Sequence, residues 1–272
     1  MTLTFEIKTR PEVPLEVEGV IPASVRELTV DQILKLPIFH GNNVVEIGDF
    51  FELSGDPSDE LLRWEGDLSP VHWIGAKMSS GTIHIEGDCG RHLGSEMSGG
   101  EIHVTGNASD WVGGEMHGGL IHVRGRAGHL VGAAYRGSAK GMTNGTILIG
   151  GDVGNEVGHT MRRGLIVVGG KAGDLVGFNM LAGSVIVHGE AGIRHGAGMR
   201  RGTIAFVGDN PPPMLSSFRY ACRMQPEFFR LIGRMLTEQQ FEPGADGLDG
   251  DFDLYHGDFI EGGRGEILVK SP

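Results

Sequence analysis

A glycine-anchored 19-residue unit recurs from Gly81 to Gly208 and leaves few folds open to the chain. GTIHIEGDCGRHLGSEMSG is followed by GEIHVTGNASDWVGGEMHG and GLIHVRGRAGHLVGAAYRG, and the style continues. Copies start at Gly81, Gly100, Gly119, Gly145, Gly164, Gly183 and Gly202. All steps are equal except that from Gly119 to Gly145, which is longer and places one extra turn within Gly137 to Asn144. A fixed period this short predicts a solenoid in which each copy is one coil.

Within a copy, positions 3 and 5 from the first glycine are apolar and mostly β-branched, as in Ile83/Ile85, Ile121/Val123 and Ile166/Val168. That alternation has the period of a strand with one face inward. Position 9 is small and apolar (Cys89, Ala108, Ala127, Val153, Ala172, Ala191), position 13 is aliphatic until His195, and position 17 is usually methionine. Glycines at 1, 7 and 14 do not suit helical repeats. The expectation is an all-β, right-handed parallel β-helix. Each coil would have three short strands joined by glycine-permitted corners, stacked at about 4.8 Å. Short helical caps would close both ends.

The expected layout has N-terminal edge strands and a short capping helix over 1–40. The β-helix follows over 41–210, with regular coils at 81–208, and then a C-terminal helix and closing strand segment over 211–272. Thr29-Val30-Asp31-Gln32 reads as a capping box. Val44 to Gly55 reads as a first degenerate coil and Leu62 to Met78 as a second. Pro226 opens an amphipathic helix running to about Gln240, expected to lie as a lid over the open end of the solenoid. A net charge of −12 argues against a nucleic-acid partner. Two cysteines, with Cys89 inward, suit a reduced thiol in a cytoplasmic protein. No apolar run of membrane length occurs, so no membrane association is expected.

Nothing resembles a nucleophile–base pair or a phosphate loop, and the recurring glycines mark corners. No catalytic, cofactor-binding or metal-binding residue is expected. Position 4 is the sharper feature: His84, His103 and His122 in consecutive coils, then Leu148, Val167 and Ile186. In register these residues stack on one outward face. Stacked imidazoles are candidate metal ligands, but no acidic or cysteine residue joins the column. An outward apolar ladder predicts a covered surface, read as a partner interface. Arg162-Arg163 and Arg200-Arg201 form a basic corner on an acidic chain, a further docking candidate. His195 reads as a hydrogen-bonded core histidine.

The repeat, the preceding GDLSPVHWIGAKM and the closing YHGDFIEGGRGEILV together resemble the C-type subunit of the formylmethanofuran dehydrogenases. They resemble equally the C-type subunit of the bacterial formyltransferase/hydrolase complex. The likeness runs from about Gly41 to Val269. The C-terminal domain of the glutamate synthase large subunit has the same coil, but at the end of a far longer chain.

The resemblance implies a non-catalytic structural subunit of a complex in one-carbon metabolism and formaldehyde oxidation. That complex moves a formyl group from tetrahydromethanopterin to methanofuran and releases formate. The implied partners are an amidohydrolase-like subunit that carries the metals, a formyltransferase subunit and a relative of the molybdopterin subunit. No cofactor is expected on this chain. The alternative is the C-type subunit of a tungsten or molybdenum formylmethanofuran dehydrogenase, an oxidoreductase of methanogenesis from carbon dioxide. Less favoured are a glutamate-synthase-like structural domain and a stand-alone β-helix zinc enzyme. The latter would draw on His84, His103 and His122.

Overall fold

The computed structural model describes residues 2–271. The chain is built mostly from strands. The N-terminal part comprises β1 (Leu3–Ile7), β2 (Leu15–Glu16), α1 (Pro22–Val25), α2 (Val30–Ile33), β3 (Pro37–His40), β4 (Asn43–Glu46) and β5 (Phe51–Ser54). β6 (Leu61–Glu65) and β7 (Val71–His72) lead into the repeats. Each copy then contributes one strand: β8 (Thr82–Glu86), β9 (Glu101–Val104), β10 (Leu120–Val123), β11 (Thr146–Ile149), β12 (Leu165–Val168), β13 (Ser184–Val187) and β14 (Arg201–Phe206). The C-terminal part holds β15 (Arg219–Met224), α3 (Phe228–Glu238), β16 (Phe252–Gly257) and β17 (Arg264–Lys270).

One sheet of 13 strands runs β15-β16-β17-β14-β13-β12-β11-β10-β9-β8-β6-β1-β5. From β17 to β1 every pairing is parallel, and the two ends turn antiparallel. The register follows the 19-residue period, so equivalent positions lie opposite one another. Ile83, Ile102, Ile121, Ile147, Ile166, Val185 and Ile204 form one inward column. Position 5 forms the neighbouring column, and both are buried throughout. Methionines at position 17 fill the space opposite: Met97, Met116, Met161, Met180 and Met199 are each 0 % exposed.

The repeat has one strand, not the three expected. Its second side is reduced to isolated parallel bridges at position 9, such as Cys89 to Ala108 and Val153 to Ala172. The third side is a run of turns in which positions 12, 14 and 16 take the left-handed conformation, as in His92, Gly94 and Glu96 (φ +62°, +60° and +57°). The amides there still reach neighbouring copies. His92 N donates to Asp110 O, Gly94 N to Ile74 O and Glu96 N to Gly114 O, at 3.0, 2.9 and 2.8 Å. Alternating left-handed residues thus stack copies without an extended strand. Position 14 needs glycine for space as well as for φ: a Cβ on Gly113 would lie 2.4 Å from Ile147 Cδ1. Ser109, standing where other copies have glycine, is absent from the positive-φ residues, and serine fits there without strain.

The turns between strand and bridge are tied by a ladder of short polar side chains. Asp88, Asn107, Asp110, Asp152, Asn155 and Asp174 each accept, through Oδ1, a backbone amide of the following copy at 2.7–3.0 Å. This supplies partners for backbone groups that no strand satisfies.

Val44 to Gly55 is not a coil. β4 folds back on β3 in a separate four-stranded sheet, β4-β3-β2-β7, and β5 pairs antiparallel with β1. Bulky aromatics explain the departure: Phe5 stacks on Trp64 (4.3 Å, 8°) and Phe51 meets Trp64 edge-on at 5.3 Å, plugging one end of the core. The capping box at Thr29 forms as expected, with Thr29 N donating to Gln32 Oε1 at 2.8 Å and Gln32 N to Thr29 Oγ1 at 3.3 Å. At the other end Phe218 (4 % exposed) enters the core, with Met214 and Leu215 packed against it. α3 is therefore not the end lid. It lies along the outward face of the sheet, where its apolar side forms a second core with Leu148, Val167, Ile186, Ala205 and Leu268.

Candidate functional site

The position-4 column is continuous through the register: His84, His103, His122, Leu148, Val167, Ile186, Ala205 and then Leu268. Its aliphatic part is covered by this chain itself. Phe229 (1 %), Leu236 (0 %), Phe241 (2 %) and Leu248 (6 %) pack on Leu148, Val167 and Ile186, which are at most 1 % exposed. Burying such side chains contributes about 1.5–3 kcal/mol each. This corrects the expectation that Leu148, Val167 and Ile186 form a partner interface. An apolar ladder needs a cover, and the chain's own helix, which follows the last repeat, provides it.

The histidine end of the column stays partly open. His84, His103 and His122, with Glu86, Thr105 and Arg124, form one wall of a cleft of about 370 Å³, and Glu238, Gln239 and Gln240 at the end of α3 form the other. The rings of His84 and His103 stack at 5.1 Å and 16°, and those of His103 and His122 lie 6.2 Å apart. His103 Nε2 donates to Glu101 Oε2 at 3.1 Å. His122 is 6 % exposed against Phe241, and burial, helped by His103 and Arg124, pushes its imidazole down to about 4. Burial and His103 also lower His84. His84 and His103 stack while the ring of His122 is tilted by 60° against that of His103, so the three do not present one shared face. Among the described residues no group of three or more His, Cys, Asp or Glu side chains is placed to hold a metal ion.

The basic corner is partly assembled. Arg162, Arg163 and Arg201 line a groove of about 230 Å³ with Leu181, Ala182 and Gly183. Arg200 turns away, its Nε 3.2 Å from Glu261 Oε2. Arg162, Arg163 and Arg201 form no ion pair among the described residues. His195 is buried at 3 % beside Phe206 and accepts from Val176 N at 3.3 Å, a core histidine as read from the sequence.

A third surface escaped the sequence reading. Trp73, His92 and Trp111 recur once per repeat at position 12 and stack, Trp73 on His92 at 4.1 Å and His92 on Trp111 at 5.5 Å. Tyr135 closes the stack. Its hydroxyl donates to buried Ser95 Oγ at 2.7 Å and accepts from His92 Nδ1 at 3.0 Å. Tyr135 stands at position 17, where the other copies have an inward methionine. The extra turn, which begins before Gly137, swings Tyr135 outward and lets Met142 (0 % exposed) take the inward place. The recurrence of the three rings at the repeat spacing was the available signal.

No helix is long and apolar enough to cross a membrane among the described residues.

Over 90 residues the chain is 37% identical to the C-type subunit of tungsten-containing formylmethanofuran dehydrogenase 2 of Methanothermobacter thermautotrophicus, covering 32% of this chain and 33% of that protein. Over 83 residues it is 46% identical to the C-type subunit of molybdenum-containing formylmethanofuran dehydrogenase 1 of the same organism, covering 30% of this chain and 21% of that one. The chain thus spans a third or less of the length of these two curated relatives. A chain in the crystal structure of the formyltransferase/hydrolase complex (FhcABCD) from Methylorubrum extorquens in complex with methylofuran superimposes with a TM-score of 0.90. Its identity is 31%, over 99% of this chain and 100% of that one. The GXGXG motif model matches residues 71–218, more than half of the chain and the stretch that holds the seven repeat strands. By repeat, register and match alike, the chain belongs to the GXGXG motif family.

Proposed function

We propose that this chain is a non-catalytic structural subunit of a formyltransferase/hydrolase complex of one-carbon metabolism. One observation carries the proposal: the full-length superposition, TM-score 0.90 at 31% identity, on a chain of such a complex. The complex would move a formyl group from tetrahydromethanopterin to methanofuran and release formate. The chemistry and any metals would reside on amidohydrolase-like and formyltransferase partners. A relative of the molybdopterin subunit would complete the assembly. This chain would supply rigid, periodic surface. Its docking candidates are the basic groove of Arg162, Arg163 and Arg201 and the open histidine end at His84 and His103.

The backbone is best described as a right-handed parallel β-helix. Three features support that description: a parallel ladder with the 19-residue period, bridges stacked at position 9, and turn amides that hydrogen-bond between successive copies.

A second reading is the C-type subunit of a formylmethanofuran dehydrogenase. It is favoured by the higher local identities, 37% and 46%, although each covers no more than a third of the relative. Affinity purification from the native host with mass spectrometry separates the two. Formyltransferase and amidohydrolase partners without a tungsten or molybdenum subunit are the expected result. Partners that carry tungsten or molybdenum and iron–sulfur clusters would move the chain to the dehydrogenase. A chain recovered alone would overturn both.

A further inference from the structure

The docking candidates above leave out a groove beside α3, between that helix and residues 245–250. Its cavity measures about 390 Å³, within the size range of sites that bind small organic groups or side chains. Phe229 and Leu248, 1 % and 6 % exposed, line its apolar part. Gly233 lets helix and loop approach, for a Cβ there would stand 2.9 Å from Ala245 Cβ.

Arg230 and Arg234 line the same groove, both exposed and one helical turn apart. Residues at i and i+4 hold their Cβ atoms about 6 Å apart on one helix face, a separation at which two guanidiniums can grip one carboxylate. Glu227 and Asp249 also line the groove, yet among the described residues neither forms an ion pair with Arg230 or Arg234, and the contact of Asp249 is Lys270 at 4.0 Å. Like Arg162, Arg163 and Arg201, these two arginines are left without an ion pair among the described residues, and here they stand beside the apolar Phe229 and Leu248. β15 ends at Met224, one residue before Gln225 of the groove. All six of its residues are exposed, and it is the last strand of the sheet, so its outer edge is unpaired among the described residues.

We propose that this groove binds an extended acidic segment of another polypeptide. An apolar side chain of that segment would rest on Phe229 and Leu248, and a carboxylate would lie between Arg230 and Arg234. The proposal rests on the chain being an assembling subunit, but not on which complex it joins.

Two measurements test it. The first is fluorescence anisotropy of the full chain with a fluorescein-labelled peptide of alternating glutamate and phenylalanine, and with the same peptide carrying lysine for glutamate. The acidic peptide is expected to bind and to weaken as salt rises. Binding should fall roughly tenfold or more with Arg230→Glu/Arg234→Glu, while circular dichroism stays unchanged because both side chains are exposed. Arg230→Gln/Arg234→Gln, which removes the two charges without reversing them, serves as a second variant and should weaken the acidic peptide as well. Equal binding of both peptides, no binding of either, or a double variant that binds as well as wild type would overturn the proposal.

The second measurement places the photo-crosslinker p-benzoylphenylalanine at Thr237 in the complex isolated from the host. A crosslink to a carboxylate-rich segment of a partner, lost in the Arg230→Glu/Arg234→Glu variant, is expected. Crosslinks confined to this chain, while partners co-purify, would overturn the groove and leave the subunit assignment intact. If no partner co-purifies, the subunit assignment fails instead, and the peptide measurement alone decides the groove.

Discussion

At the scale of single residues, the polar side chains that look interchangeable in sequence have a defined task. Asp174 accepts the amide of Ile193 at 2.9 Å, and its neighbours along the ladder do the same one copy apart. Removing the acceptor leaves a backbone donor in a turn with no strand partner. Asp174→Ala is expected to cost about 1–2 kcal/mol, read as a lower urea midpoint, whereas Asp174→Asn should cost less because the acceptor oxygen remains. An unchanged midpoint in the alanine variant would mean that water replaces the carboxylate fully. This ladder was written in the sequence at positions 8 and 11, but a sequence shows only that Asp and Asn recur there. The amide that each accepts belongs to the next copy and becomes visible only once the register is known.

At the scale of elements, α3 and the position-4 column are one structure separated by a long stretch of chain. Leu236 is fully buried between them. Leu236→Ala is expected to destabilise by roughly 2–5 kcal/mol and to expose the stretch around residues 240–250 to protease before the rest of the chain. Cleavage rates unchanged from wild type would falsify the coupling of helix to ladder. The strand period, the inward columns, the capping box and the amphipathic helix were legible because each is local and repeats with the spacing of one secondary structure. The destination of α3 was not legible. Its apolar side announces that it must be covered, and the outward Leu148, Val167 and Ile186 announce the same need. Only the path of the chain after Gly208 brings the two needs together. The N-terminal part misled for a related reason: alternation over Val44 to Gly55 fits a coil as well as a hairpin, and the aromatic plug around Trp64 selects the hairpin and edge pairing.

At the scale of the whole molecule, several buried or partly buried imidazoles act in the same direction. His92, His122 and His188 are each lowered from 6.5 to about 4, first of all by burial. Above pH 6.5 neither the folded nor the unfolded chain binds these protons, and the groups add no pH dependence. Between pH 6.5 and about 4 the unfolded chain takes up protons that the folded one refuses, so stability falls as the pH falls. The loss is on the order of 2 kcal/mol for buried His122, and less for partly exposed His92 and His188, which water screens. The urea midpoint should therefore decline from pH 7.5 to pH 5. His122→Leu, which extends the aliphatic ladder by one rung, should make that decline shallower. A midpoint that holds level or rises on acidification would contradict this account.

The length of α3 sets a gauge for the number of repeats. Its 11 residues span about 16 Å, and the four steps from Leu148 through Val167, Ile186 and Ala205 to Leu268 cover about 19 Å at the spacing of paired strands. Phe229 meets Phe252 and Phe241 meets His122, each one strand beyond an end of that span. Excising residues 164–182 would remove one repeat and keep every remaining register, yet the helix would then overshoot its track by a full rung. Such a protein is expected to fold its core and leave α3 undocked and open to protease. A family free in principle to add or lose coils is held, in this chain, to one count by a single helix laid alongside them.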